Sequence, residues 1–286
     1  MASRSLRLLV LVALLAVLAR SPHLGLVPRR GVSAAAAALW GGAPFAARCA
    51  WAEVALKEEA PLVQGRQDEY VAKGNAYGMV NYERAVATTK KALFKELFGL
   101  LPPKPVILDV GIGSFPNAVY LGNTDAPPEM DIVGVDPNEF MKKYALENAK
   151  KAGILAPERG NSLRLVRGVA ERLPVADQTA DAVVCTLTLC SVENPPQALS
   201  EIRRALKPTG KYLFVEHVLS ETNATLATAQ RRASTPEYVL ASAGCHFDRQ
   251  TLQTIQQAGF AEVKGGYFEL EGCGFLNPTV AGLATA

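Results

Sequence analysis

The chain has 286 residues, a formal charge of +3, and 49% hydrophobic and 20% charged side chains, the make-up of a globular protein long enough for one large core. Six arginines and no acid occupy the first 52 residues. The remainder therefore carries 24 basic against 27 acidic residues, and with no Lys/Arg cluster this mildly acidic body excludes a nucleic-acid-binding face.

Residues 1–52 read as a targeting leader. Arg4 and Arg7 precede twelve unbroken apolar residues, 8–19, short of the about 20 needed to span a bilayer and shaped like a secretory signal. Arg29 and Arg30 open a second, milder apolar stretch that reaches Phe45, and Ala50-Trp51-Ala52 offers a cleavage site. Two signals in series, the second with a twin arginine, predict a plastid address, with the thylakoid lumen as its inner destination. The alternative is the endoplasmic reticulum membrane or the secretory pathway, with peripheral membrane association through the apolar segment.

Residues 53–104 read as a helical segment. Residues 85–101 are amphipathic, with Val86, Leu93, Leu97 and Leu100 on one side and Lys91 and Lys95 on another, and Pro102-Pro103 stops the helix. Lying just before the first strand, it is a candidate lid over a ligand site; plain core packing is the alternative. Residues 105–286 read as one α/β domain. The apolar run 105–110 predicts a strand buried on both faces, followed by Gly111 and Gly113. A second run, 131–135, ends at Asp136, twenty-three residues past Gly113. Pro137-Asn138 starts a helix to about Gly153; strands follow at 163–166 and 180–189. A helix at 195–206, a turn at 207–210 and a strand at 211–218 complete the alternation, which implies a parallel sheet with helices on both faces. Asp248 is expected to cap a helix to Ala258. Residues 260–263 and 267–270 are expected to pair antiparallel about Gly265-Gly266.

Five cysteines (Cys49, Cys185, Cys190, Cys245, Cys273) show no C-x-x-C spacing, and His23, His217 and His246 are the only histidines. Buried free thiols are expected rather than a disulfide framework, and no metal site.

The Asp109–Gly113 turn with Asp136 on the next strand is the layout of a nucleoside-binding βαβ unit, the second-strand acid placed to hold a ribose. A dinucleotide site wants a third glycine where this chain has Pro116. Asp109 ahead of the first glycine would repel a pyrophosphate. A cationic nucleoside without phosphate, S-adenosylmethionine, suits these residues better.

Asp109-x-Gly111-x-Gly113, Asp136, Glu171-Arg-Leu-Pro174, Ala182–Val192 and Leu206-Lys-Pro-Thr-Gly210 together resemble a class I methyltransferase of the small-molecule type. Val184–Val192, Phe214-Val-Glu-His-Val218 and Ala243–Arg249 resemble the methyltransferase-like protein 7 group, which includes thiol methyltransferases. The resemblance implies a Rossmann-like, mostly parallel seven-stranded sheet with an antiparallel C-terminal strand pair. S-adenosyl-L-methionine would be the methyl donor and a small molecule, such as a thiol, the acceptor; a plastid quinone or tocopherol-type acceptor and a non-catalytic nucleotide-binding scaffold are the alternatives. It further implies that Asp109, Gly111 and Gly113 line the methionine end, that Asp136 with Pro137 holds the ribose, and that Ala170 and Glu171 flank the adenine. Leu189 and Cys190 would lie near the transferring methyl. Val169 stands where many relatives place an acid for the adenine amine. His217, closing the fifth strand, is the candidate general base.

Overall fold

A computed structural model describes residues 69–286. The leader expectations, and the expectations for residues 53–68, fall outside the described residues.

Two helices come first, α1 (Glu69–Gly78) and α2 (Val80–Leu100). They are followed by β1 (Val106–Val110), the short α3 (Ala118–Leu121), β2 (Asp131–Asp136), α4 (Met141–Lys151), β3 (Ser162–Arg167) and β4 (Ala180–Thr186). Next come α5 (Pro195–Ala205), β5 (Leu206–His217), α6 (Ala224–Arg232), α7 (Pro236–Ala241), α8 (Thr251–Gln257), β6 (Glu262–Phe268) and β7 (Thr279–Thr285). The seven strands form one sheet in the order β3-β2-β1-β4-β5-β7-β6. The first five are parallel, and β7 runs antiparallel to both β5 and β6. This is the expected mostly parallel, seven-stranded α/β sheet.

Strand residues alternate between two cores because successive side chains leave a strand on opposite faces. Leu108, Val133, Val183, Cys185, Tyr212 and Phe214 enter one core, covered by Leu199 and Ile202 of α5 and Ile255 of α8. Ile107, Ile132, Val184, Leu213 and Val215 enter the other, under Val86, Phe94 and Leu97 of α2 and Ala145 and Ala149 of α4. Burial on both faces explains why β1, β2 and β4 read as nearly continuous apolar runs.

The strand order places the site. β2 lies on one side of β1 and β4 on the other, so the chain leaving β1 and the chain leaving β4 diverge and open a crevice at their C-terminal ends, where sheets of this kind bind ligands.

Several boundaries differ from the sequence reading. β4 ends at Thr186 rather than 189, because Leu187 turns the backbone to φ +52°; Leu189 and Cys190 therefore sit in the following loop. The expected turn at 207–210 is an irregularity within the start of β5, between the pairs Ala180–Leu206 and Ala182–Lys211. Helix α8 begins at Thr251 after Gln250, so Asp248 does not cap it. Leu100 is 51% exposed, while the buried face of α2 carries Tyr82, Val86, Lys90, Phe94 and Leu97.

The largest correction is at the end of the chain. Gly265-Gly266 is not a hairpin turn but the middle of β6, and the antiparallel partner is β7, which the sequence reading missed. The glycines have a packing role instead. Gly282 of β7 pairs with both Gly265 and Phe214. A Cβ there would lie 2.0 Å from the Lys264 carbonyl oxygen and 2.8 Å from Phe214 Cζ, and one on Gly265 would lie 2.7 Å from the same ring. The bare glycines leave the space that the Phe214 ring fills.

Gly282→Ala is therefore expected to cost about 1–3 kcal/mol, read as a lower urea midpoint. Gly266→Ala, which meets nothing within 4 Å, is expected to stay within about 0.5 kcal/mol of the parent.

Candidate functional site

Behind β1 the chain turns through Gly111 and Gly113, with φ of +69° and +51°, a backbone conformation that glycine adopts without strain. The turn is locked to β2: the Gly111 and Ile112 N–H groups donate to the Val135 carbonyl oxygen at 2.8 and 3.1 Å. A Cβ on Gly111 would fall 2.2 Å from Thr188 Oγ1, so the loop after β4 packs directly on this turn. A Cβ on Gly113 would meet only the Gly111 carbonyl oxygen, at 3.8 Å. Gly113 thus borders open space, where a ligand can approach the backbone.

Asp136 closes β2 and accepts hydrogen bonds from the N–H of Gly113 at 2.9 Å and of Asn138 at 2.8 Å. Burial pushes its pKa up to about 6 against these two donors. Pro137 follows it at the rim and directs the chain into α4. The recess beside Asp136 measures about 10 Å³, room for one water. A wider, open cleft of about 530 Å³ lies between α6 and the β6–β7 connection, lined in part by Asn223, Leu226, Glu269 and Asn277. None of the residues expected to hold the nucleoside lines it.

Asp109 is fully enclosed on the α2 face of the sheet. Its Oδ2 accepts from Asn117 Nδ2 at 3.1 Å; Asn117 Oδ1 accepts from Lys90 Nζ at 3.2 Å; and Lys90 donates to both Glu83 carboxylate oxygens at 2.9 Å. Burial outweighs the help of Asn117 and the Lys90 charge, and the Asp109 pKa is pushed up to about 7. Its second oxygen, Oδ1, is buried with no hydrogen-bond partner. An enclosed carboxyl with one free acceptor, beside a glycine turn open to a ligand, fits a cationic ligand group. Lys90 and Glu83 were missed by the sequence reading. Lys90 falls on the buried stripe 82-86-90-94-97, and that helical spacing could have marked it as an interior cation.

Two further loops complete the neighbourhood. Ala170 is buried, and the Glu171 carboxylate accepts from the N–H of Glu193 at 2.6 Å and of Asn194 at 3.2 Å, tying its own loop to the start of α5. Glu216, on β5, accepts at Oε1 from the Thr188 and Leu189 N–H groups at 2.9 and 3.0 Å, which fixes the loop carrying Cys190. Burial raises the Glu216 pKa, and its Oε2 is without a partner. The Arg249 guanidinium donates to the carbonyl oxygens of Leu189 and Val192, anchoring the same loop.

His217 closes β5, buried, with Nε2 3.0 Å from Cys245 Sγ and its ring against Phe247. The Cys190, Cys245 and His217 donor atoms all lie within 4.8 Å of one another. The imidazole expected as a free base is thus held in a cluster with two sulfurs. The hydrogen bond between Cys190 and the neighbouring Cys245 sulfur, then burial, raises the Cys190 thiol well above its ordinary range.

A family model described as a methyltransferase domain matches residues 108–214. The rat protein thiol S-methyltransferase TMT1B is 32% identical over 184 residues, covering 63% of this chain and 71% of the rat protein. Human thiol S-methyltransferase TMT1A is 31% identical over 188 residues, covering 65% and 72%. A solved structure of a SAM-dependent methyltransferase from Aquifex aeolicus is similar in fold, with a TM-score of 0.50 at 18% identity over 76% of this chain and 98% of that one.

The enclosed Asp109 predicts a pH signature. In an unfolded chain an aspartate ionises near 3.9, whereas the folded chain keeps the Asp109 proton up to about 7. Between those values the folded state binds the extra proton, so stability falls as pH rises and levels off above 7. The stability difference between the parent and Asp109→Asn is expected to shift against the parent across pH 4–7, by at most about 1.4 kcal/mol per pH unit. Urea midpoints measured across that range would check it; a difference independent of pH would show that Asp109 is ionised throughout.

Proposed function

The chain belongs to the class I S-adenosylmethionine-dependent methyltransferases, and we propose that its methyl acceptor is a small thiol. That it moves a methyl group from S-adenosyl-L-methionine to a small molecule follows from the family. The thiol rests on one observation, that relatives about 31% identical over nearly two thirds of this chain carry the name thiol S-methyltransferase.

The cofactor supplies a methyl group already activated on a positively charged sulfur. What remains for the protein is to bind, orient and exclude water. We assign the free Oδ1 of Asp109 to the cofactor's ammonium group, with Gly111 and Gly113 giving backbone access. Asp136, beside Pro137, is assigned to the ribose hydroxyls, exchanging its bonds to the Gly113 and Asn138 N–H groups in part for them. Ala170 and Glu171 are assigned to the adenine edge. Leu189 and Cys190, on a loop held by Glu216 and Arg249, are assigned to the side of the transferring methyl. The acceptor sulfur attacks as thiolate, the strongest common nucleophile at neutral pH. S-adenosyl-L-methionine would supply the methyl group and leave as S-adenosylhomocysteine, the thiol's proton having passed to solvent. The leader's acid-free, arginine-bearing composition supports a plastid address for this reaction, which sequencing the N-terminus of the native protein would test.

Offered small alkyl and aryl thiols, quinones and phenols side by side, the protein is expected to give an S-methyl thioether with one S-adenosylhomocysteine per turnover. Methylation confined to quinone carbon or phenol oxygen would overturn the thiol reading. Affinity for S-adenosylmethionine is expected to rise with pH up to about 7 and then level off, because the cation prefers the ionised Asp109 carboxylate. Asp109→Asn is expected to weaken binding about tenfold or more and to flatten that profile, as read by calorimetry; one charge-assisted hydrogen bond is worth about 1.5–3 kcal/mol.

A further inference from the structure

We propose that Cys190, His217 and Cys245 form a three-ligand site for a thiophilic divalent cation, zinc by its donor set, leaving one coordination position for an exogenous ligand. The three residues come from separate segments. Cys190 is in the loop after β4, His217 ends β5, and Cys245 follows α7. Their donor atoms converge within 4.8 Å of one another, with Cys190 and His217 buried and Cys245 partly so.

The spacing suits the ion. Zinc bonds of about 2.3 Å to sulfur and about 2.0–2.1 Å to nitrogen in a tetrahedron put sulfur about 3.8 Å from sulfur and about 3.6 Å from nitrogen. The present Nε2···Sγ separation of 3.0 Å opens by roughly half an ångström to reach this. Charge also balances. Two thiolates neutralise a divalent cation, so no net charge is buried, and the two thiol protons pass to solvent on binding.

The ligands are already held in place. The His246 N–H donates to the Cys190 carbonyl oxygen at 2.8 Å, joining the two cysteine-bearing loops directly. Glu216 and Arg249 fix the Cys190 loop from below, and the Phe247 ring backs the imidazole. Preorganisation of this kind is how metal sites orient their ligands. Two sulfurs and one imidazole with an open position is the donor set of known catalytic zinc centres. A thiol entering that position would bind as thiolate and release its proton to solvent, a consequence that rests on the thiol reading; the metal site itself does not.

The test uses the full chain, reduced, freed of metal with a chelator and titrated with Co²⁺ in the absence of air. One Co²⁺ per chain is expected, with a thiolate-to-cobalt charge-transfer band, displaced by one equivalent of Zn²⁺. Cys245→Ser and Cys190→Ser are each expected to weaken binding by more than about tenfold and to reduce that band, while Cys273→Ser, whose sulfur is not among the clustered donors, is expected to leave both unchanged. Should Cys190→Ser fail to fold, the more accessible Cys245→Ser carries the test: Zn²⁺ is expected to raise the melting temperature of the parent but not of this variant. A reduced parent chain that gives no charge-transfer band, or one whose band survives in Cys245→Ser, would overturn the proposal. So would a Cys190–Cys245 disulfide whose reduction leaves Co²⁺ unbound. Because no arm reads methyl transfer, failure of the thiol reading and failure of the metal site give different results.

Discussion

A carboxylate enclosed in a sheet must be answered by other polar groups, and Asp109 sets that demand for this protein. Its carboxyl is met by Asn117, Asn117 by Lys90, and Lys90 by Glu83, one buried chain joining β1 to α2. The chain explains why α2 is held flat against the sheet with a fully enclosed lysine on its apolar face. A lone lysine there would be costly, and so would a lone aspartate. The arrangement still leaves Asp109 short of charge, with one oxygen unpartnered and a raised pKa. The cationic group assigned to Asp109 above would supply the missing charge.

The rest of the site follows from topology. Strand order sends the loops after β1 and β4 apart, and Thr188 touching the Gly111 turn is where they meet again. Glu216 on β5 then holds the loop that Thr188 begins. The Gly111–Gly113 turn, the loop after β4 and the sulfur cluster thus follow one another along the C-terminal edge of one sheet.

Much of this was legible in the sequence, and the reason is locality. Strands buried on both faces announce themselves as apolar runs, and Asp109, Gly111, Gly113 and Asp136 stand at the ends of such runs, where residue type and spacing are visible in the sequence. What was missed depends on distance or on small side chains. Residues 279–285 read Thr-Val-Ala-Gly-Leu-Ala-Thr, too small and unpatterned to declare a strand, because space there is set by Phe214 two strands of sequence away. Gly265-Gly266 resembled a turn for the same reason. Lys90 was hidden among Lys91 and Lys95, although its helical phase was interior. The Cys190–His217–Cys245 cluster left no spacing to recognise, since its members meet only after β4, β5 and α7 are assembled.

The position of β7 has a consequence for how the molecule is made. It follows β6 in the chain, yet it lies between β5 and β6, and its register places Thr279 opposite His217. Until residues 279–285 leave the ribosome, the edge of β5 that bears Glu216 and His217 has no partner and β6 has nothing to pair with. Such long-range closure is slow to form, and the half-built sheet exposes an unpaired edge that invites other chains.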